Sequence, residues 1–278
     1  MKSICAAAFA VLMPLSQALG WGAEGHSIVA EIAQRRLSDA AAAAVSKLME
    51  RGSLASVASW ADDIRNDNKP TGNWHFVDIP INSDHFDRAR DCEPNEERGD
   101  CIVAKLERLK NELRCGADDF AKRDALKFAV HFVGDIHQPL HTVLEERGGN
   151  GIEVTVSMRG LISKDPPTPE KDNLHTVWDS VLIKKTVFAW GAYVTRLEVG
   201  WLKSSEAKAS DKTNPADWAV ETHKAAQTVW ALTPANKTLD DDYFNKTLPI
   251  VERQLGVAGL RLARFLNEAY GSNQCTAP

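Results

Sequence analysis

Apolar residues recur at the spacing of amphipathic helices through most of the chain. Because a helix completes a turn in about 3.6 residues, side chains three and four positions apart share one face. Residues 27–37 carry apolar side chains at 28, 29, 32, 33 and 37, and residues 101–113 carry them at 102, 103, 106, 109 and 113. Both segments are therefore predicted to be helices that bury one face.

The same pattern predicts further helices along the chain. Ser38 and Asp39 are capping residues for a helix that reaches Leu48. Helices are also predicted over 53–64, 124–133, 173–187, 215–230 and 249–270. These elements, with no repeat and no clear linker, indicate a single, mainly α domain.

Two segments depart from the helical pattern. Residues 152–156 alternate between apolar and polar side chains, as a short strand does, and a small β hairpin is predicted near 152–162. Residues 164–169 contain three prolines and are predicted to form a loop.

The first twenty residues have the pattern of a secretory signal peptide. Lys2 precedes an apolar run over 4–15, and Ala18 and Gly20 place small residues at −3 and −1 of a cut before Trp21. The run is too short to span a bilayer comfortably. We therefore predict a signal peptide over 1–20, a mature domain over 21–278, and a secreted or periplasmic protein without a membrane span. The alternative is a buried N-terminal helix.

Charge argues against a broad nucleic-acid-binding surface. The chain has 33 basic and 38 acidic residues, a net charge of −5, and removal of Lys2 with the signal peptide makes it −6. A basic surface would have the opposite sign. A protein with this balance that handles phosphates needs local positive charge, which metal ions could provide.

Four cysteines remain in the predicted mature chain. An even number in an exported protein suggests two disulfides, for which three connectivities are possible. Cys92 and Cys101 flank a short polar loop, which favours a local bridge and leaves Cys115 to pair with Cys275. The spacings are not those of zinc fingers, so these thiols are not counted as metal ligands.

One stretch, 131–141, combines three histidines and a carboxylate with apolar residues. His131 and Asp135 are four residues apart, so they share a helix face, and imidazole and carboxylate are the usual ligands of catalytic zinc. His137 and His141 have the same spacing. Pro139 removes a helical hydrogen bond there, so His137 is predicted to support the site rather than to bind metal.

Other segments offer the same kinds of ligand. Five segments contain Asp, Glu or Trp at candidate positions, and four of them hold six of the eight histidines; only His85 and His223 lie outside them. The segments are 21–26, 60–65, 74–78, 131–141 and 173–179. Within the last, His175 and Asp179 are again four residues apart. A site assembled from five separated segments is therefore predicted.

The order of these motifs resembles a known family. WGAEGH, SWAD, HFVD, HFVGDIHQPLH, GGN and NLHTVWD follow one another as in the zinc-dependent S1/P1 nucleases, over nearly the whole mature chain. The resemblance implies a helical bundle of the phospholipase C/P1 nuclease type, with three zinc ions at the bottom of a cleft.

The resemblance also implies which residues bind each ion. The free amine and carbonyl of Trp21 bind one zinc with His26, and Asp135 bridges it to a second zinc. The second zinc is bound by Asp62, His75 and His131, and the third by His141, His175 and Asp179. Because an ordinary amide nitrogen cannot serve as an amine ligand, cleavage before Trp21 would complete the site.

The implied chemistry is phosphodiester hydrolysis, in which a zinc-bound hydroxide attacks phosphorus and the products carry 5′-phosphates. Asp62 would orient the water, and Arg65 would neutralise charge on the phosphoryl group. Asp63 points about 100° away from Asp62 on a helix and does not match the motif. Phe76, Asp78 and Asn150 resemble a base pocket, although Phe76 could be core and Asn150 a turn residue.

Stacking on an aromatic face tolerates any base and needs an unstacked strand. Single-stranded RNA and DNA are therefore the predicted substrates, together with 3′-nucleotides, for a protein that is monomeric by default. Two alternatives remain open. One is a bacterial zinc-dependent phospholipase C, and the other is a zinc-binding export protein without catalysis.

Overall fold

The computed structural model describes residues 20–160, 166–187, 189–210, 212–272 and 275. Apart from Gly20, the predicted signal segment 1–20 lies outside these residues. The described chain is mainly α-helical, as predicted. The longer helices are Ala23–Gln34, Asp39–Met49, Ile102–Cys115, Asp119–Asp135, Trp190–Val199, Pro215–Leu232 and Asp241–Tyr270. Shorter ones are Trp60–Ile64, Arg88–Asp91, Glu146–Gly149, Leu174–Thr176, Leu182–Thr186 and Ser205–Lys208. Tighter 3-10 turns span Ala55–Val57, Lys69–His75, Pro139–Thr142 and Trp201–Lys203, and a wider π turn spans Val177–Val181.

The first and last long helices form the centre of the core. Asp241–Tyr270 packs along Ala23–Gln34 and also contacts Asp119–Asp135. A Cβ added to Gly259 would lie 2.5 Å from Cγ2 of Ile32, so glycine is what lets these two helices approach. This packing fixes the two helices that carry His26, His131 and Asp135.

The small sheet differs from the predicted hairpin. Strand β1 (Glu153–Ser157) pairs antiparallel with β2 (Glu170–Asn173) and parallel with β3 (Thr238–Asp240), in the order β2-β1-β3. The hairpin predicted near 152–162 was therefore wrong in its second strand. Strand β3 was missed because it has three residues with only Leu239 buried, too few to show alternation.

Several helix boundaries also differ from the predictions. Residues 173–187 form two short helices joined by the π turn rather than one helix. The last helix begins at Asp241, because Asp240 caps it through the main-chain N–H groups of Asp242 and Tyr243, and Pro249 lies inside it. The predicted start at residue 249 was therefore wrong, since the cap at Asp240 begins the helix upstream of the proline.

Both favoured disulfides are present. Cys92 and Cys101 have Cα atoms 4.9 Å apart and close a nine-residue interval. Cys115 and Cys275 have Cα atoms 5.7 Å apart and join the chain across 160 positions. The long-range bridge ties the C-terminal end to the helix Ile102–Cys115.

Candidate metal centre

Asp135 lies at the centre of a buried group of histidines. It is the last residue of helix Asp119–Asp135, and its Oδ2 is 3.1 Å from both His75 Nδ1 and His131 Nε2. Its Oδ1 is 3.3 Å from His26 Nε2. All four side chains are fully buried. The two oxygens of one carboxylate thus face different imidazoles, an arrangement that suits a bridging ligand.

Asp62 joins this group from the short helix Trp60–Ile64. Its Oδ1 is 3.4 Å from His131 Nε2 and 3.5 Å from His75 Nδ1, and its side chain is 9% exposed. The neighbouring Asp63 is exposed, as the helical angle predicts. We call the group the first cluster; its members are His26, Asp62, His75, His131 and Asp135.

A second cluster consists of His141, His175 and Asp179. The Nε2 atoms of His141 and His175 are 3.1 Å apart, and His175 Nε2 is 3.6 Å from Asp179 Oδ2. His141 Nδ1 lies 3.7 Å from Asp135 Oδ1. The two clusters are therefore neighbours, with Asp135 between them.

Main-chain carbonyls fix the direction of three histidine rings. In each of them Nδ1 donates to a carbonyl oxygen: His131 to Ala58 at 2.7 Å, His141 to His75 at 2.7 Å and His175 to Gly148 at 2.6 Å. Because a carbonyl only accepts, Nδ1 carries the hydrogen and Nε2 keeps its lone pair for the cluster.

A left-handed turn presents the carbonyl that orients His175. Residues Glu146–Gly149 have φ values of 50°, 54°, 63° and 84°, and two of the four residues are not glycine. A Cβ added to Gly148 would lie 2.3 Å from the carbonyl oxygen of Leu140. Glycine is therefore required at this position for the turn to pack beside the second cluster.

Gln138 holds Asp179 from outside the second cluster. Its Nε2 donates to Asp179 Oδ1 at 2.6 Å, and its Oε1 accepts from the main-chain N–H of Leu140 at 2.5 Å. Both polar ends of this fully buried amide are thus used. One oxygen of Asp179 is occupied, and the other faces His175.

The donor atoms of both clusters fit a divalent cation such as zinc. Three groups of three donor atoms each lie within 4.8 Å of one another: His26, Asp62 and His131; His75, His131 and Asp135; and His141, His175 and Asp179. Two ligands on a tetrahedral zinc are about 3.3 Å apart for bonds of about 2.0–2.1 Å, and the contacts between predicted ligands of one ion are 3.1–3.6 Å. Three of these buried atoms that face the first cluster have no hydrogen-bond partner within the described chain, namely His26 Nε2, Asp62 Oδ1 and Asp135 Oδ1. A cation would satisfy them.

The protonation of the histidines supports the same fit. Burial lowers the pKa of His75 to about 4 and that of His175 to about 3, so both rings are neutral and able to bind metal near pH 7. Burial also lowers the pKa of His131, but Asp135 and Asp62 outweigh it and raise that pKa well above its ordinary value. These carboxylates thus stabilise positive charge at the place where a cation would bind.

Residues 20–22 lead the main chain to the first cluster. Trp21 is fully buried, and the main-chain N–H of Gly22 donates to the carbonyl of Asp179 at 2.8 Å. A Cβ added to Gly20 would lie 1.6 Å from Asp135 Oδ1 and 2.9 Å from His26 Nε2. The peptide between Gly20 and Trp21 is thus brought to the first cluster, where the free amine of Trp21 was predicted.

Arg65 and Phe76 lie together beside the first cluster. Arg65 donates from Nη2 to the carbonyl of Gly72 at 2.9 Å, and its guanidinium carbon is 6.0 Å from the centre of the Phe76 ring. Phe76 is half-buried rather than core. Asp78 is also half-buried, and burial raises the pKa of its carboxyl to about 6 although Arg98 opposes the shift.

Asn150 and His137 occupy less direct positions. Asn150 Nδ2 donates to the carbonyl of Arg147 at 2.8 Å, within its own turn. His137 is buried, donates from Nδ1 to Val133 at 2.7 Å and accepts from Arg261 through Nε2 at 3.0 Å. His137 therefore belongs to neither cluster.

Gln138 and Gly148 were missed by sequence reasoning. A buried amide between two ligand histidines was a possible signal for Gln138. The role of Gly148 depends on its carbonyl oxygen, which no side-chain motif reveals.

Comparison with known proteins assigns this arrangement to a class. The S1/P1 Nuclease family profile matches residues 21–271. Endonuclease 4 of Arabidopsis thaliana is 32% identical over 295 residues, covering 95% of each chain. Nuclease S1 of Aspergillus oryzae (strain ATCC 42149 / RIB 40) is 30% identical, covering 92% of this chain and 96% of its own. Nuclease P1 of Penicillium citrinum is also 30% identical, covering 91% and 98%.

The chain belongs to the S1/P1 nuclease family, and it is a hydrolase that acts on phosphodiester bonds. Its substrates are therefore nucleic acids, and its two His/Asp clusters are the candidate metal sites. No helix among the described residues is long and apolar enough to cross a membrane.

Proposed function

We propose that this nuclease is a zinc-dependent endonuclease that hydrolyses single-stranded RNA and DNA to 5′-phosphorylated products and also removes 3′-phosphates from nucleotides. The observation that carries the proposal is the position of Asp135 between two clusters of buried imidazoles and carboxylates. One anionic side chain in contact with this many metal-type donors suits a site for several cations rather than one.

Three zinc ions account for the donors in both clusters. Trp21, through its free amine and carbonyl, and His26 would hold one ion, and Asp135 would bridge it to a second. Asp62, His75 and His131 would complete the second ion, and His141, His175 and Asp179 would hold the third. When bound, zinc lowers the pKa of a water molecule toward neutrality and stabilises negative charge on phosphoryl oxygens.

The protein residues orient the reactants around these ions. Asp62 lies at the edge of the first cluster, where its partly exposed side chain can accept a hydrogen bond from the attacking water. Arg65 lies next to it and neutralises charge on the phosphoryl group. Phe76 offers a half-exposed ring on which a base stacks. Asp78 and Asn150 form hydrogen bonds with the polar edge of that base.

Export would complete the site. Removal of residues 1–20 creates the amine of Trp21 at the first cluster, and the secreted or periplasmic product is a monomeric domain over 21–278. The closeness of the Gly20 backbone to Asp135 supports this proposal, because the uncut chain occupies space beside the predicted ligands.

A phospholipase C activity and a non-catalytic zinc-binding role are the alternatives. Phe76 beside Arg65 favours a nucleobase over a lipid headgroup, since the ring is half-exposed and next to the predicted phosphate-binding cation. The zinc-loaded protein starting at Trp21 should be incubated with single-stranded RNA, single-stranded DNA, a 3′-nucleotide and phosphatidylcholine. We expect both strands and the 3′-nucleotide to be hydrolysed and the lipid to remain intact.

Adjacent carboxylates provide a matched control for this experiment. Asp62→Asn should lower kcat on the order of 100-fold or more, whereas Asp63→Asn should leave it unchanged because Asp63 is exposed. The proposal fails if neither nucleic acid nor 3′-nucleotide is cleaved, or if the two variants behave alike.

A further inference from the structure

The loop closed by Cys92 and Cys101 docks on the segment that leads into the first cluster. The main-chain N–H of Asn73 donates to the carbonyl of Arg98 at 2.9 Å. Gly99, at φ +80°, has no room for a Cβ, which would lie 2.4 Å from the carbonyl oxygen of Pro70. The docked turn, Lys69–His75, ends on a histidine of the first cluster. The loop therefore has a defined position relative to the site.

The loop is also held from within. Oδ1 of Asn95 accepts the main-chain N–H groups of Glu97 and Arg98 at 3.0 and 2.9 Å. Asn95 and Gly99 exchange main-chain hydrogen bonds at 3.0 and 2.9 Å. With the disulfide at its base, this loop presents the Arg98 side chain from an ordered backbone.

Arg98 lies on the other side of a glycine that contacts Arg65. Its Nε would be 3.2 Å from a Cβ added to Gly72, and the carbonyl of Gly72 accepts from Arg65 Nη2 at 2.9 Å. The charge of Arg98 acts on both Arg65 and Asp78. Two guanidinium groups thus flank one glycine beside the predicted base pocket.

The two arginines differ in exposure and in partners. Arg65 is half-buried against the first cluster, whereas Arg98 is exposed. None of the hydrogen bonds and ion pairs found among the described residues uses the Arg98 guanidinium. Among the described residues, no acidic side chain of its loop forms an ion pair with it, and Asp100 pairs instead with Arg108. Arg98 is therefore available to an anion from solvent.

We propose that Arg98 binds a phosphate of the substrate strand next to the one that is cleaved, and that it thereby favours strands over mononucleotides. This inference rests on the proposed function. Arg65 lies beside the metal ligands and binds the phosphate that is cleaved. Arg98 lies on the outer side of Gly72 and binds the next phosphate, where the strand leaves the site. A 3′-nucleotide has no second phosphate and gains nothing from Arg98.

The test compares two substrates that share a base. The zinc-loaded protein and its Arg98→Gln and Arg98→Lys variants are assayed on oligoadenylate and on 3′-AMP over a range of salt concentrations. Arg51→Gln is the control, because Arg51 is likewise exposed and lies after the helix Asp39–Met49, and the change removes the same charge.

For Arg98→Gln we expect the ratio of kcat/KM on oligoadenylate to that on 3′-AMP to fall about fivefold, chiefly through KM. The slope of log(kcat/KM) against log(salt) should become shallower by about 0.7, the value for one phosphate contact on a single strand. Arg98→Lys should retain most of that slope, and Arg51→Gln should change neither quantity.

Two results would overturn the inference while leaving the nuclease proposal intact. In the first, Arg98→Gln affects neither substrate. In the second, it weakens both equally, as expected if Arg98 only adjusts the charge of Asp78. A wild-type protein that cleaves neither substrate would overturn the proposed function and this inference together.

Discussion

Whether a histidine belongs to the candidate site depends on the direction of its imidazole ring as well as on its position in the sequence. The four-residue spacing of His131 and Asp135 predicted a shared helix face, and their side chains do meet at 3.1 Å. The same spacing made His137 look equal to His141, but the chain leaves the helix after Asp135. His137 then points to Arg261. A four-residue spacing therefore places two side chains on the same face only when both lie in one continuous helix.

If Asp78 bonds the base as proposed, we expect it to make the activity depend on pH in a specific way. Burial raises its pKa to about 6 from an ordinary value of 3.8, so its carboxyl is largely protonated below that pH and ionised above it. A carboxylate accepts hydrogen bonds from guanine N–H groups, and kcat/KM on 3′-GMP should therefore rise as the pH increases through about 6. Asp78→Asn should remove this contribution, which is measured as the wild-type to variant ratio at each pH.

The same shift has a defined effect on stability. The folded protein holds the Asp78 proton more tightly than the unfolded chain, so the free energy of unfolding falls as pH rises from about 4 to about 6.

For the activity measurement on 3′-GMP, the wild-type to Asp78→Asn ratio of kcat/KM cancels the titration of the metal site, which both proteins share. A ratio that is equal at pH 5 and pH 8 would contradict the role of Asp78.

Among the elements, the turn Pro139–Thr142 links the two clusters. Pro139 was predicted to remove a helical hydrogen bond in this region, and the chain does pass from the helix Asp119–Asp135 into a 3-10 turn there. Gln138 caps the turn and restrains Asp179 with the same side chain. The turn and the second cluster are thus fixed by one amide.

Replacement of Gln138 should weaken metal binding. Gln138→Leu keeps a similar volume but leaves Asp179 Oδ1 without its donor, and loss of such an outer partner typically costs about 10- to 100-fold in metal affinity. Zinc affinity is measured by competition with a chelator. Gln227→Leu is the control, because Gln227 donates to Ile81 and Ser83 away from both clusters. Equal affinities for the two variants would exclude a positioning role for Gln138.

The elements also show what periodicity can predict. Long helices with one apolar face, such as Ile102–Cys115, were predictable because burial alone determines them. The π turn Val177–Val181, which contains Asp179, was not predictable, since its wider winding appears only in the packed structure. Strand β3 pairs with a strand about 80 positions earlier, a contact that no local pattern contains.

For the whole molecule, motif order predicted which segments converge, and packing explains how they do so. The helices that carry His26 and Asp135 are held by the last helix, whose Gly259 allows close contact. Both favoured disulfides were confirmed. The carbonyl partners of the histidines were outside the reach of the sequence, because main-chain atoms carry no residue-specific signal.

We propose that a zinc site completed by the amine of Trp21 performs the hydrolysis. The most direct measurement determines zinc content and hydrolysis of a single-stranded oligonucleotide in the same samples, for the chain starting at Trp21 and for one retaining residues 19 and 20. We predict three zinc ions per chain and 5′-phosphorylated products for the first protein. The second protein should contain less zinc, and its rate of hydrolysis should be at least about tenfold lower. Equal zinc content and equal rates, or full activity in zinc-free protein, would show that the amine of Trp21 is not a zinc ligand needed for hydrolysis.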